Sequence, residues 1–152
     1  MKLRRLLQAG LVTATTDFLF SSVLVKFFYH TSVTRLWQGV ASVPLGADMF
    51  NGGLRTAAIG VALHVCVAFA WTTVFFLLLM MAPAIGRFAR ARFGLITLAT
   101  IYGPIIWLVM SFHLIPSMTH RAPTVNFHWW VQFFGHIPFV ALPIIATLTR
   151  ED

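Results

Sequence analysis

The most unusual residues in this sequence are ionisable side chains inside long apolar runs. The stretch GVALHVCVAFAW, residues 60–71, contains His64 near its middle, and Asp17 lies in a similar run near the N-terminus. Burying a lone charge in hydrocarbon is costly, so such groups normally face a protein interior and pair with one another. We therefore predict a buried polar network that consists of Asp17, His64, His113 and His136.

Three kinds of chemistry fit this network, and all of them stay open at the level of sequence. The side chains can form hydrogen bonds between helices, each worth about 1 kcal/mol in a membrane. They can form a proton or solute pathway, because imidazole titrates near neutral pH. They can also hold a haem or a chlorophyll-type pigment between His64 and His136, with Gly60 giving the flat ring room to approach.

Signatures of metal sites and of covalent catalysis are missing from the sequence. It has no His-x-x-x-His and no Cys-x-x-Cys, which are common spacings of metal ligands. His120, His128 and His136 are evenly spaced by eight residues, which places them on different sides of a helix. There is also no Gly-x-Ser-x-Gly motif for a serine nucleophile. We leave metal binding open and favour a protein that is not an enzyme.

The elements that position these residues are predicted from composition and hydropathy. Hydrophobic residues make up 59% of the chain and charged residues 10%, whereas a soluble domain has about 25% charged residues. Four segments are long enough to cross a bilayer as helices, which takes about 20 apolar residues. They are approximately residues 6–28, 52–81, 93–115 and 130–148. We therefore predict an all-α integral membrane four-helix bundle, with residues 1–152 forming a single membrane domain.

The connection between the first two spans, residues 31–50, is too polar to cross a membrane. Its apolar residues recur at helical spacing up to Pro44 and are Val33, Leu36, Trp37 and Val40. This pattern predicts a short amphipathic interfacial helix, and an irregular loop is the alternative. Trp37 is then expected at the outer membrane boundary, where aromatic side chains are enriched.

The basic residues indicate how the chain is oriented in a bacterial inner membrane. The net charge is +7, and the basic residues lie mainly at the ends of apolar runs, with no nucleic-acid-binding motif. With a cytoplasmic N-terminus, seven Lys and Arg residues lie on the cytoplasmic side and four on the other side. The cytoplasmic set is Lys2, Arg4, Arg5, Arg87, Arg90, Arg92 and Arg150. We predict cytoplasmic termini, no nucleic-acid partner, and lipid headgroups at Arg87, Arg90 and Arg92.

The first span has the basic start of a signal peptide, MKLRR, but other features favour an uncleaved helix. Asp17 lies at its centre, and no small-x-small cleavage site follows. The single cysteine, Cys66, is expected to be a small core residue. Prolines inside the last two spans are expected to bend their helices or to free carbonyls that a bundle interior tolerates. They are Pro104, Pro138 and Pro143.

Stripes of small residues along the predicted spans suggest helix–helix contacts within or between chains. In the second span, for example, Ala57, Gly60 and Ala68 fall on one side of a helix. We therefore expect a non-enzymatic structural or accessory subunit that meets membrane lipids and assembles with itself or with a larger membrane complex. A proton-linked small transporter or channel is the first alternative, and a subunit that binds haem or (bacterio)chlorophyll is the second.

Four short stretches resemble the YagU-like family of small bacterial inner-membrane proteins. They are ALHVCVAFAW, APAIGRFARARFG, SFHLIP and FFGHIPFVALPI, and the resemblance covers the C-terminal two thirds of the chain. It implies a multi-helix integral protein of the inner membrane with no assigned reaction. It also implies that His64 and the pair Gly135 and His136 are shared features of the family.

Overall fold

The computed structural model describes residues 2–150, and the chain is helical over most of this range. Within these residues, four helices are long and apolar enough to cross a membrane. They are Leu3–Phe27, Gly53–Met81, Gly94–Thr119 and Phe127–Thr149. The prediction of an all-α protein with four membrane-length helices is therefore confirmed, and the ends differ from the predicted ones by a few residues.

The helices follow one another with short connections. In chain order they are α1 (Lys2–Phe27), α2 (Val33–Leu45), α3 (Gly53–Met81), α4 (Pro83–Ala89), α5 (Gly94–Val109), α6 (Ile115–Thr119), α7 (Phe127–His136) and α8 (Leu142–Thr149). A 3₁₀ turn at Ala47–Asn51 leads from α2 towards α3. A π-helical turn at Met110–Leu114 makes α5 and α6 one continuous span, and another at Ile137–Ala141 does the same for α7 and α8.

The π turn in the third span changes which residues face the interior. The N–H of Ile115 donates to the carbonyl of Met110, five residues earlier instead of the usual four. Because an extra residue is accommodated, the buried positions step from Ile106 to Ser111. The helix then continues through Pro116, the second residue of α6, which has no N–H to donate to the preceding turn. The third span is therefore longer than predicted.

The short helix α2 lies between the first two spans, as predicted, and packs on α3. The Ser32 hydroxyl accepts from the N–H of Arg35 at 3.1 Å and caps its start, and the helix ends at Gly46. Its buried residues are Trp37, Gln38 and Ala41. Gly60 of α3 lets the two helices touch, because a Cβ there would overlap the carbonyl oxygen of Trp37. Trp37 is 4% exposed, so it packs inside the protein instead of facing lipid headgroups.

A hydrogen bond joins α1 to the fourth span where a proline interrupts the helix. Pro143 has no N–H, so the carbonyl of Phe139, four residues earlier, lacks its usual α-helical donor. The hydroxyl of Thr16 in α1 donates to this carbonyl at 2.6 Å. This agrees with the prediction that a proline in this span frees a carbonyl inside the bundle.

The main core lies where α1, α3, α5 and α8 meet. Its most buried large side chains are Ile106 of α5 and Ile144 and Ile145 of α8. The ring of Tyr102 in α5 is also buried there, and its hydroxyl donates to the carbonyl of Trp71 in α3 at 2.7 Å. Polar contacts between backbone and side chain thus accompany apolar packing in holding the four spans together.

Candidate functional site

The centre of the candidate site is a pair formed by Asp17 of α1 and His64 of α3. The Nδ1 atom of His64 lies 3.7 Å from Oδ2 of Asp17. The other ring nitrogen, Nε2, lies 3.0 Å from the carbonyl oxygen of Ala14. The side chains of His64 and Asp17 are 11% and 17% exposed. The structure thus brings together two of the four residues of the predicted polar network.

The partners of His64 determine where its hydrogen lies. A carbonyl oxygen only accepts, so Nε2 must carry a hydrogen and donate it to Ala14. Nδ1 then faces the Asp17 carboxyl group, and their contact is attractive when a proton lies on either Nδ1 or the carboxyl group. The separation of 3.7 Å is longer than a hydrogen bond of about 2.7–3.2 Å. The pair is therefore an electrostatic contact with room for a shorter approach.

The second carboxyl oxygen of Asp17 adds a polar atom without a partner to this site. Within residues 2–150, Asp17 Oδ1 is buried and accepts no hydrogen bond. Buried acceptors usually have a donor, because leaving one unpaired costs about 1–3 kcal/mol. An unpaired carboxyl oxygen at this depth marks Asp17 as the least satisfied member of the site.

Trp37 covers the pair from the side of α2. Its ring centroid lies 5.0 Å from that of His64. The ring of Phe18 in α1 stacks on Trp37 with a centroid distance of 4.7 Å and an interplanar angle of 5°. Sequence reasoning missed this residue. The signal was Gly60, four residues before His64, because a glycine on a helix indicates that a flat ring or another backbone lies close to α3. The backbone of Trp37 occupies that approach.

His136 of α7 lies near the pair but has its own partners. It is 8% exposed, and Nδ1 donates to the carbonyl of Gln132 at 2.7 Å. Its ring packs against Trp107 with centroids 4.9 Å apart. Within residues 2–150, His136 is therefore held by its own helix and by the third span, and no hydrogen bond or ion pair joins it to Asp17 or His64.

His113 does not face the interior that holds these three residues. Its side chain is exposed, which contradicts the expectation that it faces the same interior as the other three residues. The expectation assumed a regular α-helix through the third span. The π turn makes Ser111 the buried residue, and His113, two positions further, lies on roughly the opposite side of the helix.

The geometry of His64 does not fit a haem or a chlorophyll-type ring. A metal at the centre of such a ring needs an imidazole nitrogen with a free lone pair. Nε2 of His64 donates to Ala14, and Nδ1 faces Asp17, so α1 occupies both nitrogens. Among the described residues, no three His, Cys, Asp or Glu side chains are placed to hold a metal ion.

The basic loop lies at one end of the bundle, between the second and third spans. Arg87 belongs to α4, and Arg90 and Arg92 follow it before α5 begins. All three side chains are exposed, and the guanidinium group of Arg92 lies 4.9 Å from the ring centroid of Phe93. The side chains are therefore accessible to groups outside the protein, as lipid headgroups would require.

Comparisons with known protein families, with curated proteins and with solved structures gave no match for this chain. The resemblance to the YagU-like proteins therefore stays a prediction. The function has to be inferred from the side chains themselves, and above all from the Asp17–His64 pair and from the faces that the helices leave exposed.

Proposed function

We propose that this chain is a small multi-pass protein of the bacterial inner membrane that acts as a non-enzymatic structural or accessory subunit. The observation that carries this proposal is the engagement of both His64 nitrogens by α1. An imidazole used in this way ties two spans together, and its nitrogens are not directed at a substrate. The buried polar network then serves to fix the bundle, in the manner of interhelical hydrogen bonds in other membrane proteins.

The outward face of α3 supports a role in assembly. Small residues recur on it at every fourth position, and all of them are exposed. They are Ala58, Ala62, Cys66 and Ala70. Such a face lets two helices approach closely in lipid and is self-complementary across a two-fold axis. Cys66 is therefore not the core residue that was expected, and we propose that a second copy of the chain packs on this face.

The single cysteine of the chain makes this contact testable without introducing a label. Mild oxidation of native membranes with copper phenanthroline should join two chains of 17.0 kDa through Cys66. Cys66→Ser should abolish the dimer, and Ala62→Leu should strongly reduce it by separating the helices. The matched control carries Cys66→Ser and Ile101→Cys, which moves the thiol to an exposed position on α5 and should give no dimer. Equal cross-linking from both thiol positions, or none from Cys66, would contradict the proposed assembly.

The orientation of the chain is part of the same proposal. The excess of basic residues at one end favours cytoplasmic termini and a cytoplasmic loop that contains Arg87 and Arg92, where anionic lipid headgroups are bound. In a Cys66→Ser background, a membrane-impermeant maleimide should label Ala122→Cys in intact cells. It should label Ala91→Cys after permeabilisation. Both parent residues are exposed. The reverse labelling pattern would show that the termini lie outside.

A proton-linked small transporter or channel is the second candidate function. The specific observation in its favour is the buried, unpaired Oδ1 of Asp17 beside the imidazole of His64. Such an atom is a place where a proton can be taken up or released in the interior of a membrane protein. Proteoliposomes loaded with a pH-sensitive dye would compare wild type with His64→Ala. Equal rates from two folded samples would exclude proton passage through this pair.

A further inference from the structure

An apolar groove outside the Asp17–His64 site lies between α1 and the fourth span. Its volume is about 420 Å³, and it begins beside the bond between Thr16 and the Phe139 carbonyl. From there it follows α1 to Phe28, at the end of the bundle opposite the basic loop. The groove is open along its side, so in a membrane it faces lipid.

The groove has a partly buried floor and an exposed rim. On the floor, the ring of Phe20 stacks on that of Phe139 with centroids 4.3 Å apart and an interplanar angle of 16°. On the rim, Leu19 and Val23 are 55% and 48% exposed. The polar side chain among the described lining residues is Thr16, and its hydroxyl is already bonded to the Phe139 carbonyl. An occupant of the groove therefore needs an apolar surface and no hydrogen-bonding group.

The dimensions of the groove match a single extended hydrocarbon chain. Thr16 and Phe28 are twelve residues apart, which corresponds to about 18 Å along a helix. One leaflet of the hydrocarbon core of a bilayer is about 15 Å thick. A volume of about 420 Å³ over this length gives a mean width of about 5 Å. Hydrocarbon carbons pack at about 3.5–4.0 Å, whereas a helix is about 10–12 Å wide. The groove therefore admits an acyl chain but not a helix of a second copy of the protein.

A basic residue continues the rim towards the end of the bundle. Leu19, Val23 and Lys26 follow one another at steps of four and three residues, so they lie on one face of α1. Lys26 is exposed in the last turn of the helix, and Nζ lies 5.7 Å from the ring centroid of Phe27. No acidic side chain in residues 2–150 pairs with it. Because a long basic side chain at a helix end extends towards the lipid headgroups, Lys26 supplies a positive charge at the headgroup end of the groove.

We propose that this groove binds one acyl chain of a phospholipid from the leaflet opposite the basic loop, and that the phosphate of this lipid pairs with Lys26. The chain fills the apolar groove from the side, and the charged group meets the lysine at the level of the headgroups. The site is separate from the basic loop, which lies at the other end of the bundle. The proposal is also independent of the assembly through α3, because the groove is formed by α1 and the fourth span.

Native mass spectrometry of the delipidated full chain in detergent tests the proposal. The chain is titrated with dioleoylphosphatidylglycerol, and one lipid per chain should bind more tightly than those that follow. Dioleoylglycerol has the same acyl chains without the phosphate and should bind at this site about fivefold more weakly, the worth of one basic residue near a lipid phosphate. The absence of a saturable first site, or equal binding of the two compounds, overturns the proposal.

Substitutions on the rim test whether the acyl chain lies in the groove. Val23→Trp fills the groove and should weaken the first binding event about tenfold or more, since losing roughly 55 Å² of buried apolar surface already has this effect. Leu19→Trp should act in the same way and replaces Val23→Trp if that variant folds poorly. The matched control is Ile105→Trp, because Ile105 of α5 is 45% exposed and lies outside the groove. First-site binding that is unchanged in a folded rim variant, or equally weakened by Ile105→Trp, overturns the proposal.

A charge substitution tests the contact with the phosphate. Lys26→Gln should weaken the binding of dioleoylphosphatidylglycerol about fivefold and leave that of dioleoylglycerol unchanged. Arg55→Gln is the control, because it removes an exposed positive charge from the same end of the bundle, at the start of α3. Equal effects of Lys26→Gln and Arg55→Gln overturn the proposal. A loss of dimers instead of bound lipid in Val23→Trp identifies a second copy of the chain as the occupant and overturns it as well.

Discussion

Removing His64 tests whether the polar pair stabilises the bundle. His64→Ala deletes the hydrogen bond to Ala14, which is worth about 0.6–1.7 kcal/mol between membrane helices. It also leaves Asp17 in a largely buried position without its electrostatic partner. Breaking a fully buried pair from one side costs about 3–5 kcal/mol, and the penalty is smaller here because Asp17 is 17% exposed. We expect a total loss of about 2–3 kcal/mol in unfolding free energy.

A double-mutant cycle isolates the interaction between the two side chains. Asp17→Ala alone removes a carboxyl group that has one contact and one unpaired oxygen. The double variant no longer contains a lone buried acid, so it should be about 1–2 kcal/mol more stable than the sum of the single losses predicts. Unfolding in mixed detergent micelles, followed by far-ultraviolet circular dichroism at neutral pH, supplies the free energies.

The control for this cycle is His113→Ala, which removes an exposed imidazole from the third span. It should change the unfolding free energy by less than about 0.5 kcal/mol. Costs of His64→Ala and Asp17→Ala that add to within about 0.5 kcal/mol would refute the reasoning, because the two groups would then act independently.

Two further substitutions test the packing around this site. Gly60→Val places a side chain where the Trp37 carbonyl lies, so α2 has to move; a loss of at least about 2 kcal/mol and faster proteolysis between the first two spans are expected, and wild-type proteolysis would argue against the close contact. Tyr102→Phe removes the hydrogen bond to the Trp71 carbonyl and should cost about 1 kcal/mol in the same unfolding assay, whereas an unchanged stability would show that this bond contributes nothing.

The membrane helices could be predicted because hydropathy over a long segment is a strong signal. A run such as residues 53–81 has few structures available in lipid other than a helix. The amphipathic pattern of Val33, Leu36 and Val40 likewise predicted α2. It did not predict that Trp37 packs on His64, because periodicity indicates an apolar face and not the surface that covers it.

The candidate site was predictable only in part. Asp17 and His64 lie near the middle of uninterrupted helices, so counting residues from the helix ends gives their depth, and the structure places them 3.7 Å apart. His113 was misplaced because a π turn adds a residue to the helix without any local signature in composition. For the same reason, the sequence did not indicate that Ser111 is the buried residue of this turn. Departures from regular helix geometry thus limited what the sequence could provide.

The bond from Thr16 to the Phe139 carbonyl links the first membrane helix to the last. In a membrane, the fourth span would carry an acceptor at Phe139 that Thr16 satisfies once α1 packs on it. Until α1 and the fourth span meet, the carbonyl of Phe139 would face hydrocarbon without this donor, which favours the association of the two helices. The bond therefore joins the first and last of the four spans, and the bundle closes once these two helices have met.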